Sequence, residues 1–214
     1  RGFWMVNWFK EQFGLAESLK AQQTEQVVES LFDELVDAVP PGAMGLMLQP
    51  YWGAGVREPG PEAKGAIIGF GDIHRREHLY RAILEGLNFG LREGLEKIIK
   101  NCNVSPEKLR VSGGGSVSNA AMQIAADIFG LVAERPHTYE TSGLGAAIAM
   151  ATGLGWYSDM RTAAANMVHT GDVFTPNHTH QRIYNEMYQD VYLTMYKRLQ
   201  PLYKKIQQIT GYPD

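Results

Sequence analysis

The sequence predicts an α/β fold that ends in one long helix. Three observations carry this reading: strand-like and helix-like segments alternate between Leu109 and Thr152, small residues recur every four positions along residues 76–100, and a broad apolar stripe runs from Ile183 to Leu199.

Taken in order, the first helix is expected over Thr24–Val39. Val27, Val28, Leu31, Phe32, Leu35, Val36 and Val39 follow a 3.6-residue period, Thr24 can cap the start, and Pro40-Pro41-Gly42 stops it. Residues 45–65 shift to Gly, Pro and aromatics, with Leu46-Met47-Leu48 a short strand inside a long irregular loop. A second helix is expected over Arg76–Lys100, with Ala82, Gly86, Gly90 and Gly94 on one face. Each glycine inside a helix costs roughly 0.5–1 kcal/mol against alanine, so another helix is expected to pack unusually close there. Arg81, Glu85, Arg92, Glu93 and Glu96 exclude a membrane reading of that spacing. Leu109-Arg110-Val111 reads as a strand, residues 113–116 as a turn, Asn119–Phe129 as a helix ended by Gly130, and Leu131-Val132-Ala133 as a further strand. A helix over Ser142–Thr152, closed by Gly153, and a long helix over Gln181–Ile209 complete the pattern.

At 214 residues the chain can bury a substantial core. A net charge of −3 gives no broad positive field for nucleic acid or acidic lipid. The single cysteine, Cys102, excludes an internal disulfide and a cysteine-cluster metal site, and fits a reducing compartment, the cytoplasm by default. No apolar run reaches the ~20 residues that span a bilayer. The chain does not start with Met, and Trp4-Met5-Val6-Asn7-Trp8 reads as the interior of a domain, so a fragment or processed product is expected.

The strongest local signal is Val111-Ser112-Gly113-Gly114-Gly115-Ser116-Val117-Ser118-Asn119 between a strand and a helix. Three successive glycines remove every Cβ from the turn, so a base or ribose can lie on the backbone with helix N–H groups near for phosphate oxygens. The plainer reading is a strand-to-helix turn with Ser118 or Asn119 as the cap. A P-loop is excluded, and the spacing does not match Gly-x-Gly-x-x-Gly. His178-x-His180 has the spacing of two zinc ligands but no evident third, and a solvated loop is expected; His74 and His78 lack company in the same way. Arg81 and Glu85, four apart, read as an exposed ion pair worth a few tenths of a kcal/mol. Asp72 and Asp127 are poor candidates for a base.

Gly65-Ala66-Ile67-Ile68-Gly69-Phe70, seven intervening residues, and His78-Leu79-Tyr80-Arg81-Ala82-Ile83-Leu84-Glu85-Gly86 resemble the second signature of the FGGY carbohydrate kinases. Gly113-Gly114, Met122-Gln123 and Ala126-Asp127 resemble the family's adenosine motif and its helix; Glu134-Arg135-Pro136, Glu140 and Leu144-Gly145-Ala146-Ala147 continue in the same order. The resemblance extends from about Trp4 to the final helix.

The resemblance implies a ribonuclease-H-like lobe of the actin-like ATPase fold, the C-terminal, nucleotide-binding lobe of a two-lobed kinase, incomplete at its N-terminus. Its early β-strands would be absent, leaving an exposed sheet edge. It also implies that Gly113, Gly114 and Gly115 lie against adenosine and the α-phosphate. Ser118 and Asn119 stand at a polar adenine contact, with helix capping the alternative. Asn7, before Trp8, stands at a nucleotide-contacting position, with a plain surface amide the alternative. The implied partners are ATP, Mg²⁺ carried by the nucleotide, and a small ketose or polyol. The catalytic aspartate and the Gly/Thr/Ser turns that grip phosphate have no counterpart in this chain, so no catalytic residue and no metal ligand is expected in it. Residues 50–59 depart from the Gly-Glu-Arg-x-Pro form of many pentulose kinases, which leaves the sugar unassigned. The rival reading is a kinase-derived interaction domain that forms a homodimer through the Ala82/Gly86/Gly90/Gly94 face.

Overall fold

The computed structural model describes residues 4–52 and 59–212; Gly53 to Glu58 of the segment 50–59 lie outside them. The chain opens with α1 (Trp4–Phe13) and α2 (Leu15–Thr24), followed by two short helices, α3 (Val28–Leu31) and α4 (Asp33–Asp37). The single helix expected over residues 24–39 is therefore broken. Glu25 takes a left-handed conformation (φ 54°), and Thr24 closes α2 by donating its hydroxyl to Lys20 O at 2.9 Å instead of capping a helix of its own. The apolar period still serves its purpose: Leu31, Phe32, Val36 and Val39 all enter the core.

Strands β1 (Met47–Gln49) and β2 (Ala66–Ile68) pair antiparallel, with Leu48 opposite Ile67. Next come α5 (Arg76–Cys102), β3 (Lys108–Arg110), α6 (Asn119–Phe129), β4 (Val132–Pro136), α7 (Thr141–Gly153), α8 (Met160–Met167) and β5 (Thr170–Phe174). These strands form a second sheet in the order β3-β4-β5, β3 parallel and β5 antiparallel to β4. The parallel pair needs a crossover, and α6 supplies it. The C-terminal segment comprises α9 (His178–Glu186), a π-helical stretch (187–192) and α10 (Leu193–Thr210). The fold is thus α/β and mostly helical. Among the described residues, no helix is long and apolar enough to cross a membrane.

Residues 79–89 of α5 are buried on every side. The tightest approach to the small residues on α5 is not made by another helix as expected. A Cβ at Gly86 would stand 2.5 Å from the Leu48 carbonyl oxygen, so the close neighbour is strand β1. At Gly90 it would meet Pro50 and the Tyr192 hydroxyl at 3.2 and 3.3 Å, and at Gly94 nothing within 4 Å. Tyr184, Tyr188 and Tyr192 pack on Phe89 from the C-terminal segment. In an α-helix a four-residue step overshoots one turn; the wider π turn removes that drift and keeps the tyrosines in line.

Arg81 and Glu85 are buried, 6% and 2% exposed, not the surface pair their spacing suggested. Arg81 Nε donates to Glu85 Oε1 at 2.8 Å, Nη1 to the Val36 and Val39 carbonyls at 3.0 and 2.7 Å, and Nη2 to Tyr184 Oη at 2.9 Å. Tyr184 Oη donates in turn to Glu85 Oε1 at 2.8 Å, and Gly42 N donates to the same oxygen at 3.0 Å. Arg81 thereby holds the Val39 carbonyl just past α4 and shares the Val36 carbonyl with Val39 N, which donates to it at 3.1 Å. Nearer the surface, Arg76 binds both carboxylate oxygens of Glu17 at 2.7 and 3.0 Å and joins α2 to α5.

Replacing one partner of a buried pair strands the other's charge. Arg81→Met is expected to destabilise the chain by about 3–5 kcal/mol in urea unfolding, while Arg81→Met with Glu85→Leu recovers most of the loss. The hydrogen bond from Arg76 holds the Glu17 carboxyl below its ordinary value. Its contribution is therefore complete above the unfolded carboxylate range and is lost as pH falls through the folded value. Thermal melts across that range should show a smaller acid loss in Glu17→Gln than in the parent.

Candidate nucleotide-binding turn

Strand β3 delivers the chain into a turn held by its own backbone. Val111 N donates to Glu134 O at 2.9 Å, Gly113 N to Tyr139 O at 3.2 Å, and Ser116 N and Oγ to Gly113 O at 2.9 and 2.8 Å. Residues 114–117 form a single 3₁₀ turn before α6. Gly113 has φ 88° and ψ −179°, a conformation that only glycine adopts without strain. Gly114 has no such constraint, and a Cβ there would meet no atom within 4 Å. Neither backbone conformation nor internal packing accounts for a glycine at 114. Its effect is to leave bare backbone facing open space.

Cavities flank the turn. One of about 470 Å³ is lined by Arg110, Ser112, Arg135, Thr141 and His169 among others. A second, about 640 Å³ and mainly apolar, runs past Ser112 and Gly115 to Leu91 and Gly94 of α5. A smaller one of about 180 Å³ adjoins Ser116, Val117, His137 and Tyr139. Arg135 braces the turn from β4: Nη1 donates to the Ser116 and Val117 carbonyls at 2.8 and 3.1 Å, Nη2 to Asn119 Oδ1 at 2.7 Å, and Nε to Asp172 at 2.8 Å.

The start of α6 is less open than its sequence suggests. Ser118 Oγ accepts from Ala121 N at 2.9 Å, as an N-cap does, and donates to Asp33 Oδ1. Asp33 Oδ2 accepts Asn119 N at 2.9 Å. Of the amides expected to serve phosphate oxygens, Asn119 N is thus engaged by the protein's own carboxylate, which carries the charge this helix end favours, and Ala121 N by the Ser118 hydroxyl. Burial nonetheless pushes the Asp33 carboxyl above its ordinary value, with its hydrogen bonds opposing. Ser118 is committed to the cap, while the Asn119 side-chain amide nitrogen makes no hydrogen bond among the described residues. Asn7 lies exposed on α1. Asp127 is buried as a structural tie, accepting from Gln123, Asn177 N and His180 at 2.8, 2.7 and 2.9 Å. His178 and His180 belong to the first turn of α9, not to a loop. His74 and His78 pack on each other, and no cluster of metal-ligating side chains occurs among the described residues.

Asp33 and Arg135 were not singled out by the residue pattern. Asp33 sits within an apolar helical period, and Arg135 had only its place in Glu134-Arg135-Pro136 to mark it. Removing the Asp33 carboxylate should cost about 1–2 kcal/mol, measured as the urea midpoint shift of Asp33→Ala.

The chain is similar to known proteins over nearly all of its length. The model of the C-terminal domain of the FGGY family of carbohydrate kinases matches residues 4–154. An uncharacterized sugar kinase of Escherichia coli K12 is 33% identical over 205 residues, covering 96% of this chain and 41% of that protein. A xylulose kinase of Staphylococcus epidermidis is 31% identical over 208 residues, covering 96% and 39%. The crystal structure of xylulose kinase from Rhodospirillum rubrum superposes with a TM-score of 0.70 at 28% identity, over 93% of this chain and 38% of that one. The chain spans about two-fifths of the length of these relatives. It belongs to the FGGY family of carbohydrate kinases, whose C-terminal domain its residues 4–154 match.

Proposed function

We propose that this chain is the ATP-binding part of a sugar or polyol kinase, a ribonuclease-H-like lobe of an actin-like ATPase that works in the cytoplasm. The observation that carries the reading is the bare backbone at Gly114, which nothing in the protein's own packing requires. Gly113, Gly114 and Gly115 form the rest for adenosine and the α-phosphate. Asn119 offers its free side-chain amide to the base, Ser118 fixes the start of α6 so that Asn119 is in place, and Asn7 approaches the nucleotide from α1. Arg135, by gripping the Ser116 and Val117 carbonyls, keeps the turn rigid.

ATP supplies the γ-phosphoryl group, with Mg²⁺ carried on its phosphates. The acceptor is a hydroxyl of a small ketose or polyol, in keeping with the relatives named as xylulose and glycerol kinases. Phosphoryl transfer depends on positioning and on neutralising developing charge, and the groups that grip phosphate and accept the hydroxyl proton belong to the remainder of the intact protein. The role of these residues is to hold and orient the nucleotide.

One observation favours the rival reading of an interaction domain. Leu91 and Ile98 of α5 are 57% and 53% exposed beside the unoccupied face of Gly94, a surface through which two copies could pair. Gly114→Val in the intact protein separates the two. The kinase reading expects ATP affinity to fall by about tenfold or more, read as ADP release with ketose or polyol acceptors; the interaction reading expects no change. The 214 residues alone are expected to show no sugar-dependent ATP turnover, and robust turnover would overturn the assignment of the phosphate grips and base to the rest of the protein.

A further inference from the structure

Arg135 does more at the glycine turn than hold its shape. Its guanidinium is anchored by Asp172 and stands 5.5 Å from the centre of the Phe174 ring. From that position it takes three acceptors of the turn at once: the Ser116 and Val117 carbonyls at 2.8 and 3.1 Å, and Asn119 Oδ1 at 2.7 Å. A guanidinium has five donors and no acceptor, so the Asn119 amide has only one way round, with its oxygen on Arg135 and its NH₂ turned away. The Ser118 hydroxyl is used in both directions, donating to Asp33 Oδ1 and accepting from Ala121 N, and Asp33 Oδ2 accepts from Asn119 N. Donors are what remain. Asn119 Nδ2, Gly114 N and Gly115 N make no hydrogen bond among the described residues.

We infer that Arg135 is a positioning residue for base recognition: it makes the stretch from Gly114 to Asn119 a donor-only surface and so admits 6-oxo purine nucleotides beside ATP. The inference rests on the reading of this turn as a nucleotide site. Purines differ in what they present at C6. Adenine carries an amino donor there, hypoxanthine and guanine a carbonyl acceptor, and all share the N7 acceptor. A site rejects the oxo form strongly only when it aims an acceptor of its own at the amino group, because the wrong base then leaves that acceptor unpaired. The acceptors that this stretch has to offer, two carbonyls and the Asn119 oxygen, are the ones Arg135 holds. Each carbonyl keeps a second lone pair, but an amino group approaching it meets the positive charge of the guanidinium. Asn119 Nδ2 donates equally well to the N7 of any purine and gains a further acceptor in O6 of the oxo forms.

The test is a pair of NMR titrations of the ¹⁵N-labelled 214-residue chain, one with Mg²⁺ and ATP and one with Mg²⁺ and ITP, whose bases differ only at C6 and N1. Dissociation constants read from the amides of Gly113, Gly114, Gly115 and Asn119 are expected to agree within about threefold. Asn119→Asp keeps an oxygen for Arg135 and puts an acceptor where the NH₂ stood, and should shift the ratio toward ATP by about tenfold. Arg135→Met, which releases the two carbonyls and lets the Asn119 amide turn round, should shift it in the same direction. Both nucleotides carry the same triphosphate, so a loosened turn or an added charge weakens them alike and cancels from the ratio. A preference for ATP of about tenfold or more in the parent chain, or an unchanged ratio in Asn119→Asp, would overturn the inference and leave the nucleotide site standing. Silence of these amides with both nucleotides would remove the site and the inference together.

Discussion

The buried Arg81 guanidinium is the point on which the rest of the structure depends. Its donors reach α4, α5 and α9 at once, through the Val36 and Val39 carbonyls, Glu85 and Tyr184. Arginine suits this place because its planar group offers five donors in fixed directions and keeps its charge when buried. Glu85 balances that charge and, through Gly42 N, fixes the loop after α4. Apolar packing completes the arrangement: Phe9, Phe32 and Tyr80 on one side of α5, and Phe89 with three tyrosines on the other. Such packing is non-directional, whereas the polar node admits one register of α4 and α9 on α5.

That register reaches the glycine turn through a short chain of contacts. Asp33 is the first residue of α4, and it binds Ser118 and Asn119 at the start of α6. Arg81 therefore sets the position of α4, and α4 sets the start of α6. From the other side, Arg135 on β4 holds the Ser116 and Val117 carbonyls. The turn is thus gripped at both flanks by charged groups while its centre, Gly114, faces open space. A rigid frame around bare backbone is the arrangement a planar ligand needs if little ordering is to be lost on binding.

Much of this was legible in the residues, for identifiable reasons. The helix over Asn119–Phe129 coincides with its expected bounds because a capping serine and a terminal glycine mark both ends. The helix from Arg76 was legible from its spacing, but the neighbour of Gly86 was not, since a missing Cβ signals close approach without naming what approaches. Strand β2 and the α8–β5 pair escaped because short segments carry too few residues to show a period. The burial of Arg81 and Glu85 escaped because a four-residue spacing looks the same on a surface as in a core. Asp33 contacts residues 85 positions away, and no local pattern encodes such a meeting.

The central claim is that the bare backbone of Gly113–Gly115 receives the adenosine end of ATP. The most direct measurement is the change in backbone amide chemical shifts when a non-hydrolysable ATP analogue with Mg²⁺ is added to the ¹⁵N-labelled chain. Saturable shifts centred on Gly113, Gly114, Gly115 and Asn119 are the predicted result. Shifts centred elsewhere, with these amides silent at saturation, would contradict it.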